Sequence, residues 1–257
     1  MCKSWLPWRW VGLALVVAAS LVAASFAQAA VTQSVDFSVK YNRADRHKSR
    51  GGLTLRTVLR IGDDTGAKPP PLTNTTLRFP KGAVVNARFF KRCSAATVER
   101  KGPSACPRAS KIGAGTAKGD ARPSVPDPID AKVTLFNGEP VHGNPTIVIY
   151  AVPELSSPIT ITGVLERQRR GQYGYVLDVK VPPIPTIGQQ PNASVIFFDA
   201  TTIDRTVRRH RRKIHYIEGP LICNGTFFLL DGAFTYEGGI TNTVYERFTL
   251  SGGPRCP

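Results

Sequence analysis

The chain has 257 residues, with 34 Lys+Arg against 18 Asp+Glu, a formal charge of +16 and 42% hydrophobic residues. A chain of this length can bury a full core in one large or two small domains, and its hydrophobic content excludes a disordered protein. Its 23 Gly and 21 Pro argue against a helix bundle and favour a fold with many turns.

Residues 1–29 have the three parts of a secretory signal peptide. Lys3 and Arg9 give a positive start without acid, an apolar run follows, and Ala27 and Ala29 are small residues where a signal peptidase reads the chain. The apolar run is shorter than the roughly 20 residues of a membrane-spanning helix, and no later run reaches that length. We therefore expect a secreted or cell-surface protein without an integral membrane segment, with 32 basic and 18 acidic residues and a formal charge of +14 after cleavage.

Four cysteines remain after this cleavage: Cys93, Cys106, Cys223 and Cys256. An even number of cysteines in an exported chain predicts two disulfides. Three pairings are possible, and local spacing favours Cys93–Cys106 and Cys223–Cys256. Close Cys or His pairs at the spacing of metal ligands are absent from the sequence, so no metal site and no cofactor is predicted.

Period-two alternation and short β-branched runs recur along the mature chain, whereas long helical patterns do not. This pattern predicts an all-β protein, a β-sandwich of the immunoglobulin-like or a similar type, as one large or two small sandwiches. In chain order, the clearest predicted strands are 53–61, 146–152, 159–162, 175–181 and 194–198.

A stretch rich in Pro and Asp, 121–130, predicts a boundary between an N-terminal β-domain, 30–120, and a C-terminal β-domain, 131–257. A long crossover within one sandwich is the alternative. Near the C-terminus, 225–236 and 240–250 read as the arms of a hairpin that the second disulfide would staple. Within its first arm, Asp231-Gly232 favours a bulge over a tight turn.

Several stretches resemble an uncharacterised family of secreted β-rich proteins from actinobacteria. They are Phe79-Pro80-Lys81-Gly82 with Asn86 and Cys93, the run from Cys106-Pro107 through Ile112-Gly113-Ala114-Gly115 to Ala117, Tyr173-Gly174-Tyr175 with Val181-Pro182-Pro183, and Gly219-Pro220-Leu221-Ile222-Cys223. The resemblance spans most of the mature chain. It implies a secreted, β-rich, disulfide-bearing protein, and it implies no activity.

Catalytic signatures are weak. Asp64-Thr65-Gly66 matches the tripeptide of aspartic proteases, but no second copy supplies the other carboxylate, so a polar turn explains it better. Gly113, Gly115 and Gly119 miss the spacing of phosphate-binding loops and favour a glycine-tolerant strand. The mature chain's histidines leave open an exported hydrolase with a composite active site on a sandwich scaffold; they are His47, His142, His210 and His215.

The segment 205–213 carries six formal positive charges in nine residues and lies between apolar stretches, so we predict that it forms the tip of a hairpin. Arginine forks bind phosphate through two hydrogen bonds at once. Solvation of the hairpin tip by like charges is the competing explanation. We assign the candidate contacts with a polyanion to Arg208, Arg209, Arg211, Arg212 and Lys213, with Arg46 and Lys48 as helpers.

These observations together predict a non-catalytic binding or structural protein of the cell envelope. Its expected partner is an anionic envelope polymer, with nucleic acid as a second polyanion that the same cations attract. The oligomeric state is left open by the sequence.

Overall fold

The computed structural model describes residues 30–42, 50–186, 191–220 and 227–251. The predicted signal peptide, the helper residues Arg46 and Lys48, and the predicted pair Cys223–Cys256 lie outside the described residues, as does His47. Within the described ranges, no helix has the length and apolar character needed to cross a membrane.

The predicted all-β fold is confirmed, and its architecture is sandwich-like. The strands of the first half are β1 (Val31–Tyr41), β2 (Arg50–Asp63), β3 (Leu72–Pro80), β4 (Val84–Val85), β5 (Lys111–Asp120) and β6 (Ile129–Asn137). Those of the second half are β7 (Thr146–Pro153), β8 (Ile159–Arg167), β9 (Tyr173–Lys180), β10 (Ser194–Thr202), β11 (Thr206–Arg209), β12 (Arg212–His215), β13 (Ile217–Pro220), β14 (Phe227–Tyr236) and β15 (Thr241–Ser251).

All strands except β11 and β12 belong to one sheet, in the order β1-β15-β14-β3-β9-β8-β7-β6-β5-β10-β2-β13-β4. β1 also pairs with β2 along its whole length, antiparallel, and meets β15 in parallel through Val39 and Lys40. Eleven strands therefore follow one another around a common interior. The rings of Phe37 and Phe79 lie 5.6 Å apart across this interior, although their strands are not neighbours in the sheet.

The segment 121–130 does not separate two sheets. β5 and β6 pair antiparallel on either side of it, with Lys118 opposite Asp130, so it forms the connection of a hairpin. Strands from 30–120 and from 131–257 alternate in the sheet order, and both contribute to the same core.

The hairpin of β14 and β15 follows the predicted arms, but the bulge at Asp231-Gly232 was a wrong prediction. Asp231 pairs with Tyr245 and Gly232 with Val244 in unbroken register. A pairing irregularity of β14 lies instead on its other side, against β3, between Thr235 and Tyr236. Gly232 thus continues the strand pairing and does not interrupt it. A side chain would not fit at this position, because a Cβ would lie 2.9 Å from the Phe234 ring.

The structure has two hydrophobic clusters. The central core consists of inward-facing residues of the eleven strands, for example Val35, Leu59, Leu135, Leu230 and Phe234. The outer core lies on the other face of the sheet, beneath the short helix α1 (Ala95–Lys101). Its buried members are Cys93, Val98, Cys106, Phe136, Val148 and Tyr150.

Helix α1 has stabilising residues at both of its ends. The Ser94 side chain caps it by accepting a hydrogen bond from the Thr97 amide at 3.1 Å, and Gly102 ends it with a φ of 75°, which favours glycine. The Cys93–Cys106 disulfide, with Cα atoms 5.4 Å apart, closes the loop around the helix. This half of the predicted disulfide pairing is confirmed.

Candidate functional site: a basic end and an apolar cavity

The segment 205–213 forms the tip of a hairpin, as the sequence predicts. β11 and β12 make a separate two-stranded ribbon, which we call the basic hairpin (residues 206–215). Its tight turn places His210 at a φ of 44° and Arg211 at 62°. Both central residues of a two-residue turn then have positive φ, the conformation that matches the twist of paired strands.

Like charges face each other across the basic hairpin. Arg209 pairs with Arg212, and Arg208 with Lys213. Directly opposed like charges destabilise a ribbon by a fraction of a kcal/mol up to about 1 kcal/mol. These cations form no ion pair with an acid of the described residues, and the arginines among them are exposed. The structure thus gathers Arg208, Arg209, Arg211, Arg212 and Lys213 at one tip, and of these cations only Lys213 lies close enough to a described acid, Asp204, to lower its pKa.

The base of the hairpin is anchored by other groups. Arg205 donates to the carbonyl oxygens of Lys111 and Arg108, at 2.8 and 2.9 Å. His215 is buried and lies with Nδ1 2.6 Å from Oδ1 of Asp204. A Cβ on Gly52 would lie 2.1 Å from that Nδ1, so the ring occupies the space that this glycine leaves open.

The side chains of Asp204 and His215 form a His–carboxylate contact, which bears on the hydrolase alternative. Burial raises the pKa of Asp204, but hydrogen bonds from His215 and Asn42 and the nearby positive charge outweigh burial and leave that pKa below its ordinary value. Neither residue lines the cavity described below. The described contacts of the Asp204–His215 pair therefore connect the base of the basic hairpin to β2. His142 and His210 lie in exposed turns.

The other motif candidates are structural as well. Asp64-Thr65-Gly66 lies in an exposed turn after β2, where the Thr65 amide donates to Asp63 at 2.9 Å. Gly113, Gly115 and Gly119 belong to strand β5. A Cβ on Gly115 would lie 1.9 Å from the Asp199 carbonyl oxygen, so glycine permits the close approach of β10.

Strand register distributes the charges unevenly between the two ends of the sheet. Following the pairs from strand to strand places the connections 81–110, 138–145, 168–172 and 203–220 at one end, which we call the basic end. Besides the basic hairpin, it carries Lys81, Arg88, Lys91, Arg92, Arg100, Lys101, Arg108, Arg167, Arg169 and Arg170.

The opposite end is acidic. Its turns and adjoining strand ends carry Asp63, Asp64, Asp120, Asp127, Glu154 and Glu237, with Lys68 and Arg122 among them. Burial raises the pKa of Asp120, but the hydrogen bonds and charge of Arg122 outweigh it, and the pKa of that carboxyl is lowered. The two ends of the strands therefore differ in charge, with an excess of cations at the basic end and an excess of acids at the other.

The inward-facing side chains of these strands line a partly open apolar cavity of about 270 Å³. Large side chains such as Leu55, Ile149, Ile161, Leu177 and Phe198 line it and remain only partly buried, although they point inward. Space therefore remains between the opposing walls of side chains.

The wall of the cavity at the basic end is built by β4, β13 and the segment 80–85. Asn86 ties this wall to the hairpin base, because its amide N–H donates to the Tyr216 carbonyl at 2.8 Å and its side chain to the His215 carbonyl at 2.9 Å. Fully buried Asn137 donates to the carbonyls of Ala87 and Lys91 and accepts from the Tyr216 hydroxyl at 3.2 Å. Burial raises the pKa of Tyr216, which keeps this phenol protonated as a donor.

Sequence reasoning missed both the cavity and Asn137. The alternating apolar residues show which side chains face inward but not how far apart the opposing walls lie. Asn137 follows an apolar run, and a polar residue there was not recognised as the group that ties the segment 86–93 to the sheet.

Comparisons with protein-family models, with curated proteins and with solved structures find no match to this chain.

Proposed function

We propose that this is an exported, non-catalytic protein that binds an anionic polymer of the cell envelope through its basic end. The observation that carries the proposal is the basic hairpin: it holds five cations, four of them in directly opposed like-charge pairs, and none of the five forms an ion pair with an acid of the described residues. A polyanion lying along the hairpin would relieve this repulsion and supply the missing counter-charges.

Two further observations support the proposal. The polarised ends would bring the basic hairpin to a negatively charged surface first, because charge distribution steers encounter. The Cys93–Cys106 disulfide is typical of proteins that fold in an oxidising compartment, which agrees with export through residues 1–29. The resemblance to secreted actinobacterial proteins is part of the same proposal.

The test of binding uses immobilised teichoic acid as the anionic polymer and dextran as an uncharged one. Retention on teichoic acid is expected to fall steeply between 50 and 200 mM salt, because bound phosphates release counterions. Replacing Arg209, Arg211 and Arg212 by Gln should weaken binding by about tenfold or more and flatten the salt dependence.

A matched variant with Lys118, Lys132 and Lys180 replaced by Gln removes the same formal charge from exposed strand positions outside the hairpin. It should bind nearly as the unmodified protein does. Equal losses in the two variants would show that net charge alone attracts the polymer, and binding insensitive to salt would contradict the electrostatic proposal altogether.

Export is tested separately. Intact-mass analysis of the protein from culture medium, without reduction, should show a chain that starts at Ala30 and contains no free thiol at Cys93 or Cys106. Recovery from the cytosol with residues 1–29 attached and both thiols reduced would refute it.

A further inference from the structure

The apolar cavity is a feature that polymer binding at the basic end does not use. Its wall consists of aliphatic and aromatic side chains from opposite sides of the circuit, and Lys81 is the only charged residue among the described residues that line it. A cavity of this chemistry does not hold water well, since ordered water needs two or more polar partners.

Tyrosine hydroxyls in the wall are already engaged with the protein. Tyr41 donates to the Pro220 carbonyl, Tyr216 donates to Asn137, and Tyr175 accepts from the Val85 amide at 3.4 Å. These hydroxyl groups therefore hydrogen-bond to the segments that form the cavity wall at the basic end. The wall between them favours a ligand, or a part of a ligand, that has no polar atoms.

The residues that line the cavity extend along the strands. Its lining runs along β3 from Leu72 to Pro80, eight residue steps, or about 26 Å of extended strand. A volume of about 270 Å³ distributed over such a length suits a single flexible chain better than a fused ring system. It also exceeds the roughly 150 Å³ of an engineered apolar cavity that binds benzene.

Charge marks one end of this space. Lys81 is exposed, follows directly after β3, and makes no ion pair with an acid of the described residues. Its backbone is fixed close to Gly174, because a Cβ on that glycine would lie 3.1 Å from the Lys81 Cα. An anionic group held at the end of an apolar chain would therefore meet a cation at the basic end.

We infer that the cavity binds one long acyl chain whose terminal carboxylate contacts Lys81, so that the protein is a carrier of long-chain fatty acids. The acyl chain lies along the central core and takes the place of packing that the opposite walls do not supply. The head group faces the same end as the basic hairpin.

The test titrates the full mature protein with cis-parinaric acid, a fluorescent long-chain carboxylate, and displaces it with palmitate or with hexadecanol. One saturable site per chain is expected. Ala200→Phe places a ring in the cavity from β10 and should lower the affinity by about tenfold or more. Ala114→Phe makes the same change at an exposed position of β5 and should leave the affinity unchanged.

The head-group contact is tested by Lys81→Met, with Lys132→Met as the control on an exposed strand position. Lys81→Met should weaken palmitate by up to about fivefold and leave hexadecanol unchanged, because only the carboxylate loses a partner. This comparison decides the assignment of Lys81 even if Ala200→Phe does not fold. Absence of saturable binding, or unchanged binding in a folded Ala200→Phe variant, would overturn the fatty-acid site.

The basic-hairpin variant keeps the two proposals apart. It should retain palmitate while losing teichoic acid, since the hairpin residues do not line the cavity. Loss of polymer binding with intact palmitate binding supports both proposals. Unchanged polymer binding with intact palmitate binding would remove the polymer proposal and keep the carrier, whereas loss of palmitate binding would contradict the assignment of the cavity as a separate site.

Discussion

The outer core and the central core of this protein differ in how completely their side chains are buried. The outer core is small, and a capped helix and a disulfide close it over Val98, which has no exposed surface. The central core is large, yet side chains such as Phe198 stay partly exposed around a cavity. Dense packing indicates a structural role, whereas open packing in an otherwise complete sheet indicates space kept for another molecule.

The largest expected effect separates the two cores directly. Phe136→Ala in the outer core should lower the free energy of unfolding by about 3–5 kcal/mol, because a fully buried ring leaves a void. Phe198→Ala removes the same ring from the cavity wall and should cost less than half as much, since that ring packs on fewer sides. Urea titrations of both variants measure the difference, and equal losses would mean that the central core is packed as tightly as the outer one.

The second prediction concerns the staple of the outer core. Replacing Cys93 and Cys106 together by Ala should cost about 3 kcal/mol, because the bond closes a loop with a separation of 13 residues. At about 2–4 °C per kcal/mol, the melting temperature falls by roughly 6–12 °C. Affinity for palmitate should not change, since neither cysteine lines the cavity. A parallel loss of palmitate binding would show that the two cores are coupled.

Acid should act on the strands around the central core. The pKa values of Asp120, Asp199 and Asp204 are lowered by their partners Arg122, Arg56 and His215 against the opposing effect of burial. The folded state therefore binds these protons less readily than the unfolded chain. The stabilisation is complete above the ordinary aspartate pKa of about 4 and is lost as the pH falls through the lowered values.

Melting temperatures between pH 7 and pH 2 measure this loss. Asp204→Asn should cost about 1–3 kcal/mol at pH 7, because it removes the charged partner of buried His215, and should make the stability less sensitive to acid. Asp127→Asn, at an exposed position of the acidic end, serves as the control and should change neither quantity. An unchanged acid profile in Asp204→Asn would contradict the assigned role of the pair.

The smallest expected effect has the opposite sign. Arg209→Glu places an acid opposite Arg212 and should stabilise the basic hairpin by about 0.2–1 kcal/mol, because attraction replaces repulsion across the ribbon. Teichoic acid binding should weaken at the same time, whereas palmitate binding should not. A variant that is less stable and still binds the polymer fully would contradict both claims, that the opposed cations destabilise the hairpin and that they bind the polymer.

Local patterns predicted much of the fold correctly. The alternating residues Tyr175, Leu177 and Val179 lie in strand β9 and line the cavity, as their pattern predicted. The charged run after Ile203 forms the predicted hairpin tip. The spacing of Cys93 and Cys106 also predicted their disulfide. These features depend on neighbours in sequence, so periodicity and turn chemistry were enough.

Predictions failed or fell short where partners come from distant strands. Asp231-Gly232 looked like a break, but the ladders on both sides of β14 carry it through. The role of Asn137 depends on hydrogen bonds to carbonyl groups that lie 50 and 46 residues away in the sequence.

The amino-acid sequence alone determined the strand segments, the nearby disulfide and the concentration of cations in one short segment, because each follows from residues close together along the chain. Only the tertiary structure decided that the basic connections share one end, that a group of acids lies at the other, and that an apolar space lies between the walls. Those properties depend on the order and number of strands around the interior, and strand order is set by the summed packing of residues that are far apart in the sequence.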